Sequence, residues 1–317
     1  MTAPHSFLKV AKGRGKTSRR ADMHCPELEK TFLKAIALIN SSKLRSARNS
    51  AKENVIELAK RGYPDAQFEI AHWYANGLCE FPKNERSKIR WLRRAAADGQ
   101  IDAIYNLGVS FQKGLGVRRN LKKAIGCYTE AARAGCVEAV FNLGICYEDG
   151  IGVAKNVRRA AQLYHVAAIQ GDTDAQHNLA LLHLQGRGVR RNPAESFKWF
   201  RKAANSKKPE ATYDLAICYQ LGEGVKQNLS KAIQLHRVAA RQGYAPSQLN
   251  LGVAYCTGKG ARLNPQLGVR WYKKAAKQNC PGALRHLAHC YEDGHGVRKN
   301  RALAARLTRA ADSFSNR

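Results

Sequence analysis

The sequence lacks long hydrophobic runs, and acidic residues are scarce in it. No segment approaches the ~18 consecutive apolar residues of a membrane helix, so we expect no membrane span. The first residues, MTAPHSFLKVAKGRG, do not contain the apolar core of about 7–15 residues that a secretory signal needs. There are 24 acidic residues against 54 basic ones, which gives a net charge of +30. This charge attracts anionic partners, although a well-solvated basic surface is an equally good interpretation.

Residue patterns that would carry catalysis are also missing. The segment GRGKTS, at residues 13–18, has Val10 where a phosphate-binding loop requires its first glycine. Four residues with zinc-ligand chemistry cluster near the end of the chain: His286, His289, Cys290 and His295. Several upstream repeats hold Asn, Val or Ile, and Cys at the positions of the first three, which indicates ordinary repeat positions. We therefore predict no metal site, no cofactor and no enzymatic activity.

A short segment of the sequence recurs with a period of 36 residues. CYEDGIGVAKN begins at Cys146, and CYEDGHGVRKN begins at Cys290, four periods later. The same spacing holds for the glycine pairs and for the asparagine four residues after each pair. The pairs are Gly114/Gly116, Gly150/Gly152, Gly186/Gly188, Gly222/Gly224, Gly258/Gly260 and Gly294/Gly296. Such self-similarity is typical of a repeat protein.

Each period predicts two helices joined by a short loop. Apolar residues such as Ile104 and Leu107 form one helical stripe, which Gly114 should end as a C-terminal cap. Asn120 fits the N-cap of a second helix, and two copies place Pro193 and Pro265 directly after the asparagine, at the first helical position. Because one hairpin cannot bury its apolar stripe alone, the hairpins must stack.

The unit NLGICYEDGIGVAKNVRRAAQLYHVAAIQGDTDAQ resembles the Sel-1-like repeat, a relative of the tetratricopeptide repeat. The likeness covers roughly residues 66–317, although asparagine stands in every copy where the family often has aspartate. It implies an all-α fold, a right-handed superhelical solenoid of stacked hairpins with about seven 36-residue repeats. It also implies an adaptor or scaffold that holds another protein in its groove. Some members are linked to penicillin recognition, so Ser6 and Lys9, which spell S-x-x-K, leave a penicillin-binding-type hydrolase as a remote alternative.

Three regions are expected along the chain. Residues 1–26, with six Lys/Arg and one Asp, form a basic disordered tail, and a mitochondrial targeting segment is an alternative. Residues 27–65 form an N-terminal helical cap. Residues 66–317 form the repeat array, with units starting near residues 66, 103, 139, 175, 211, 247 and 283.

The nine cysteines are expected to be reduced. Cys136 and Cys146 are ten residues apart and mostly helical, so about 12 Å separates them, whereas a disulfide needs Cα atoms about 4.4–6.8 Å apart. The same argument applies to Cys280 and Cys290. Reduced thiols indicate an intracellular, cytoplasmic protein, with mitochondria as the alternative.

Two surfaces are candidate sites. The first helices carry few charges, and we predict that they line a groove for a peptide or helix of another protein. The groove residues are Tyr105, Asn106, Phe141, Asn142, His177, Asn178, Tyr213, Asp214, Asn250, Arg285 and His286. The second surface is a basic edge beside the asparagine caps, where a neutral cap leaves the positive N-terminus of the helix uncompensated and able to attract an anion. Its residues are Arg118, Arg119, Arg158, Arg159, Arg190, Arg191, Arg298 and Lys299.

The groove favours a non-enzymatic adaptor for protein partners as the leading function. The basic edge favours the alternative, a protein that associates weakly and non-specifically with the backbone of RNA or DNA. No aromatic stacking platform accompanies the edge, so sequence-specific readout is not expected.

Overall fold

A computed structural model describes residues 26–42, 44–206 and 208–315. The described residues form sixteen α-helices and one short 3₁₀ helix, and they contain no β-strand. They divide into two compact units after Gln170. The predicted S-x-x-K and phosphate-loop segments, Cys25 and almost all of the predicted tail lie outside the described residues.

The first unit contains two leading helices and three helical hairpins. Its helices are α1 (Pro26–Ser41), α2 (Arg45–Lys60), α3 (Pro64–Asn76), α4 (Glu85–Ala97), α5 (Ile101–Lys113), α6 (Leu121–Arg133), α7 (Val137–Asp149) and α8 (Val157–Ile169). Within this unit every helix packs against the next one, so the hairpins stack in chain order.

The second unit contains four hairpins. Its helices are α9 (Thr173–Gln185), α10 (Pro193–Ala203), α11 (Pro209–Leu221), α12 (Leu229–Arg241), α13 (Ala245–Thr257), α14 (Pro265–Ala276), α15 (Pro281–Asp293) and α16 (Arg301–Ser315), with the 3₁₀ turn at Ala204–Ser206. Here too, consecutive helices pack together. The prediction of an all-α fold of stacked helical hairpins is confirmed.

The predicted caps are present at both ends of the hairpin loops. The Asn120 side chain accepts a hydrogen bond from the Lys123 backbone N–H at 2.9 Å, which satisfies one free donor of helix α6. Gly114 ends α5 in a left-handed conformation with φ of 75°, where a side chain would be strained. The same pair of caps recurs in the other hairpins.

Within each unit, the second glycine of the pair brings neighbouring repeats together. A Cβ atom at Gly116 would lie 2.5 Å from the backbone oxygen of Glu85, at the start of the second helix of the preceding hairpin. A Cβ atom at Gly152 would lie 2.8 Å from the Leu121 side chain. The loop can therefore pack on the preceding repeat only if this residue is glycine. This requirement explains why the Gly-x-Gly segment recurs every 36 residues.

A column of large side chains fills the space inside the hairpins, and sequence analysis did not single it out. Its members stand 36 residues apart in the second helices and are almost wholly buried: Tyr128, Tyr164, Phe200, His236 and Tyr272. The residue facing each one in the first helix is small. Gly108, Gly144 and Gly252 face the three tyrosines, while Ala180 and Ala216 stand at the positions for Phe200 and His236.

Candidate partner-binding surfaces

The first-helix face consists of the predicted groove residues, which occupy the fifth and sixth positions of the first helices. Most of these side chains are half-buried, and only Arg285 and His286 are exposed. This partial burial follows from the periodicity of the α-helix. The neighbouring positions, such as Ile104 and Leu107, are buried in the core, so the groove residues lie at the edge of the buried side of the helix.

In the first unit, a hydrogen bond joins two predicted groove residues of consecutive repeats. The Asn142 amide donates to the Tyr105 hydroxyl at 3.0 Å. The rings of Tyr105 and Phe141 pack on the buried column, 5.9 Å from Tyr128 and 5.7 Å from Tyr164. Asn106 instead donates to the Asp102 carbonyl of its own helix at 2.8 Å. The structure therefore brings Tyr105 and Asn142 together and leaves Asn106 beside them.

In the second unit, the corresponding bond is an ionisable pair. His177 Nε2 lies 2.7 Å from Asp214 Oδ2, and the two side chains remain 29% and 23% exposed. The hydrogen bond to Asp214 raises the pKa of His177, although burial acts in the opposite direction. Asn178 lies beside the pair, with its Oδ1 3.5 Å from His177 Nδ1. The His177–Asp214 pair can therefore carry a charge, whereas the Tyr105–Asn142 pair cannot.

The next pair of predicted groove residues in the second unit, Tyr213 and Asn250, lies beside the buried His236. The Asn250 amide lies 3.3 Å from His236 Nε2, and the ring centroids of Tyr213 and His236 lie 5.6 Å apart. Burial lowers the pKa of His236 to about 4, so its imidazole is neutral at pH 7. Ser247 and Gln220 also hydrogen-bond this ring, at 3.3 Å and 3.2 Å. The buried imidazole thus connects the surface amide to the interior of the hairpin.

The last two predicted groove residues, in the second unit, make contacts of a different kind. His286 stacks on Tyr272 with ring centroids 5.2 Å apart, and Arg285 pairs with Asp312 at 3.4 Å. Leu249 stands where Tyr105 and His177 stand in their own repeats, so the residue opposite His286 has no polar group to offer. The predicted groove thus ends in a region of different chemistry.

Two arginines of the predicted basic edge form hydrogen bonds within the chain. Arg119 Nε donates to the Gln112 carbonyl at 3.1 Å, and Arg191 Nε donates to the Leu184 carbonyl at 3.1 Å, so both cap the preceding helix. Each asparagine cap accepts a hydrogen bond from one helix N–H through its side-chain oxygen, as the cap prediction requires. Arg118, Arg158, Arg190, Arg298 and Lys299 are exposed, whereas Arg159 is half-buried.

The described residues provide neither a metal-binding cluster nor a membrane-spanning helix. No group of three or more His, Cys, Asp or Glu side chains there is arranged to hold a metal ion. Nor is any helix in the described part of the chain long and apolar enough to cross a bilayer. The eight described cysteines carry free thiols.

Two solved structures of bacterial proteins have a similar fold. The antigen c5321 of uropathogenic Escherichia coli, described as having an SLR fold, superimposes with a TM-score of 0.83 and 28% identity. That match covers 90% of this chain and 62% of c5321. A Sel1 repeat protein from Oxalobacter formigenes gives a TM-score of 0.68 and 26% identity, over 94% of this chain and 86% of that one.

The curated relatives match over short segments only. Protein SHC1 of Saccharomyces cerevisiae is 35% identical over 81 residues, which are 26% of this chain and 16% of SHC1. The DAP3-binding cell death enhancer 1 of Rattus norvegicus is 38% identical over 45 residues, which are 14% of this chain and 9% of that protein. The chain thus spans about a sixth or less of the length of these relatives.

A family model describes most of the chain. The Sel1 repeat model matches seven consecutive segments: 64–100, 101–136, 137–172, 173–207, 209–244, 245–280 and 281–311. Proteins built from these repeats generally mediate protein–protein interactions, and their helical fold is typically non-catalytic. The chain belongs to the Sel1 repeat family.

Proposed function

We propose that this protein is a non-enzymatic adaptor that binds a segment of another protein on the first-helix face. The observation that carries the proposal is that hydrogen-bonded amide, phenol, imidazole and carboxylate groups join consecutive repeats within each unit. These groups are held in place by the core beneath them, yet they stay partly exposed. Groups that are already ordered lose little entropy when a partner covers them.

The chemistry of the face suits a peptide or helix better than a polyanion. Tyrosine and amide side chains offer apolar surface and hydrogen bonds together, as interface residues commonly do. Most cations lie on the second helices and near the loops. Arg285 is the one Lys or Arg among the predicted groove residues, and Asp312 neutralises it. A phosphate backbone would find little to bind there.

Association with nucleic acid remains the alternative. The exposed arginines of the basic edge and the net charge of +30 support it, since phosphate contacts require no sequence-specific geometry. The engagement of Arg119 and Arg191 with helix carbonyls counts against it.

Affinity purification of the tagged protein, with and without nuclease, tests the choice. Asn106→Lys combined with Asn178→Lys changes the first-helix face without emptying the core, because both side chains lie at the surface of their helices. Arg118→Ser combined with Arg190→Ser is the matched change at the basic edge. We expect the first pair to abolish recovery of the partner, and the second pair and nuclease to leave it intact. Release of the partner by nuclease would refute the adaptor.

We also propose that the protein acts inside the cell, with mitochondria as the alternative compartment. The free thiols of the described cysteines support a reducing environment. Burial raises the pKa values of Cys136 and Cys146 to about 11, so these two stay protonated and resist oxidation. Fractionation of cells into cytosol, mitochondria and medium tests this assignment, and recovery from the medium would contradict it.

A further inference from the structure

A cleft of about 660 Å³ opens in the first unit, away from the first-helix face. Helices α1, α2 and α3 and the loop after α3 form its walls. Its apolar lining comes from Ile36, Ile39, Phe68, Trp73 and Leu78, and the Leu78 side chain is 43% exposed. The volume lies within the range typical of ligand-binding clefts, and apolar surface in such a cleft is suited to a partner.

One wall of the cleft carries a row of cations. Arg45, Arg48 and Lys52 stand at i, i+3 and i+7 of helix α2, so they lie on one stripe of that helix. Their spacing along the axis is about 4.5 Å and then about 6 Å, from the rise of an α-helix. Arg48, in the middle, forms no ion pair with a carboxylate of the described chain. The row therefore has capacity for further carboxylates.

A strained loop holds one carboxylate over this row. Cys79 and Glu80 have φ angles of 50° and 67°, which non-glycine residues rarely adopt, whereas the other repeats use a Gly-x-Gly loop here. Glu80 bonds to Lys52 at 2.8 Å and to Arg45 at 3.5 Å, while its side chain stays 61% exposed. The bond to Lys52 is the main cause of the lowered pKa of Glu80. The strained loop thus presents Glu80 where an external carboxylate would bind.

We propose that this cleft binds an amphipathic helix of another protein, with apolar side chains on the lining and carboxylates on the Arg45–Arg48–Lys52 row. Carboxylates at i, i+3 and i+7 of that helix have the spacing of the row. Glu80 occupies the place of one of them and is displaced on binding. The apolar lining favours a protein over a nucleic acid, because phosphates gain nothing from it. The proposal does not depend on the first-helix face.

The full chain and a fluorescein-labelled peptide test the proposal by anisotropy. The peptide is helix-forming, with a leucine stripe beside glutamates at i, i+3 and i+7; a second peptide has the same composition in scrambled order. Arg48→Glu should weaken binding about tenfold or more, since a charge-assisted bond becomes a repulsion. Glu80→Gln should strengthen binding about threefold by freeing the cations. Arg90→Glu, an exposed change on α4, is the matched charge control and should alter binding less than about twofold.

A further variant checks the apolar contact. Leu78→Asn places an uncharged polar group on the exposed part of the lining, so the fold survives and binding should fall about tenfold or more without any change in charge. Four results would overturn the proposal. The first is no binding of the peptide at about 1 mM, the second is an equal loss of binding with Arg48→Glu and Arg90→Glu, and the third is equal binding of the scrambled peptide. The fourth is that the same concentration of an oligonucleotide displaces the peptide from the parent and from the Arg48→Glu variant. The second and fourth would show that net charge alone attracts the peptide.

Discussion

The glycine opposite each buried tyrosine gives the sharpest stability prediction. A Cβ atom at Gly144 would lie 2.5 Å from Cε1 and 2.7 Å from Cδ1 of Tyr164. The ring cannot retreat easily, because its hydroxyl donates to Glu148 Oε2 at 2.7 Å and the side chain is fully buried. Gly144→Ala should therefore force the ring or helix α7 to move.

The size of the effect follows from two opposing contributions. Overfilling a packed core costs about 1–3 kcal/mol, while replacing glycine by alanine within a helix gains up to about 1 kcal/mol. We expect Gly144→Ala to lower the free energy of unfolding by about 1–2 kcal/mol. Gly126 is the matched control, because it also lies within a helix but has no heavy atom within 4 Å of an added Cβ. Gly126→Ala should stabilise by about 0.5–1 kcal/mol.

Equilibrium unfolding in urea, followed by circular dichroism, measures both changes. A natural repeat of the chain suggests a compensating change for Gly144→Ala, because alanine stands opposite Phe200 where Gly144 stands opposite Tyr164. Tyr164→Phe removes the hydroxyl bond that fixes the ring, so Gly144→Ala should cost less in that background than in the parent. Equal midpoints for Gly144→Ala and Gly126→Ala would refute the packing argument.

Three further predictions concern protonation, thiols and charge. Burial holds the pKa of His236 at about 4, below its usual 6.5, so the unfolded chain binds more protons and stability should fall by about 3 kcal/mol between pH 6.5 and 4. His236→Phe, which copies Phe200, should remove that fall in urea titrations across this range, and an unchanged fall would contradict the assignment. Alkylation of the unfolded, unreduced protein should add nine labels by intact mass, and fewer labels with bridged peptides would show disulfides. Arg118→Ser should weaken binding of an oligonucleotide similarly for every nucleotide sequence. Arg119→Ser should instead mainly lower the melting temperature, because Arg119 donates a hydrogen bond to the Gln112 carbonyl of the preceding helix. Equal effects of the two variants on oligonucleotide binding would contradict this distinction.

Local rules in the sequence were enough to predict the hairpins. The asparagine caps and the glycines at helix ends act within a few residues, so a single period reveals them. The 36-residue repetition then shows where each hairpin recurs. The second glycine needed the structure, because its contact is with the preceding repeat rather than with its own loop.

The chemistry of the first-helix face was harder to predict. The sequence indicated which positions are exposed, but the pairing of Tyr105 with Asn142 and of His177 with Asp214 depends on how far one hairpin is shifted against the next. Both pairs are 37 residues apart, one more than the period, and this offset is visible in the sequence only after the packing is known.

The buried column was missed although its signal is present. Tyr128, Tyr164, Phe200, His236 and Tyr272 share the period, and the small residue opposite changes from glycine to alanine where the ring is not a tyrosine. The polar partner varies in the same way: Gln112 and Glu148 bond to tyrosines, whereas Leu184 stands at that position in the repeat of Phe200. A search for such matched variation across repeats would have found the column.

Hydrogen exchange of the protein, alone and with a purified partner, tests the adaptor proposal most directly. We predict slower exchange in the first helices whose face residues bond between repeats, α5 and α7 in the first unit and α9, α11 and α13 in the second. The loops at 115–119 and 187–191, which contain part of the basic edge, should exchange at the same rate in both samples. Protection confined to those loops or to the second helices would contradict the proposal that the first-helix face binds the partner.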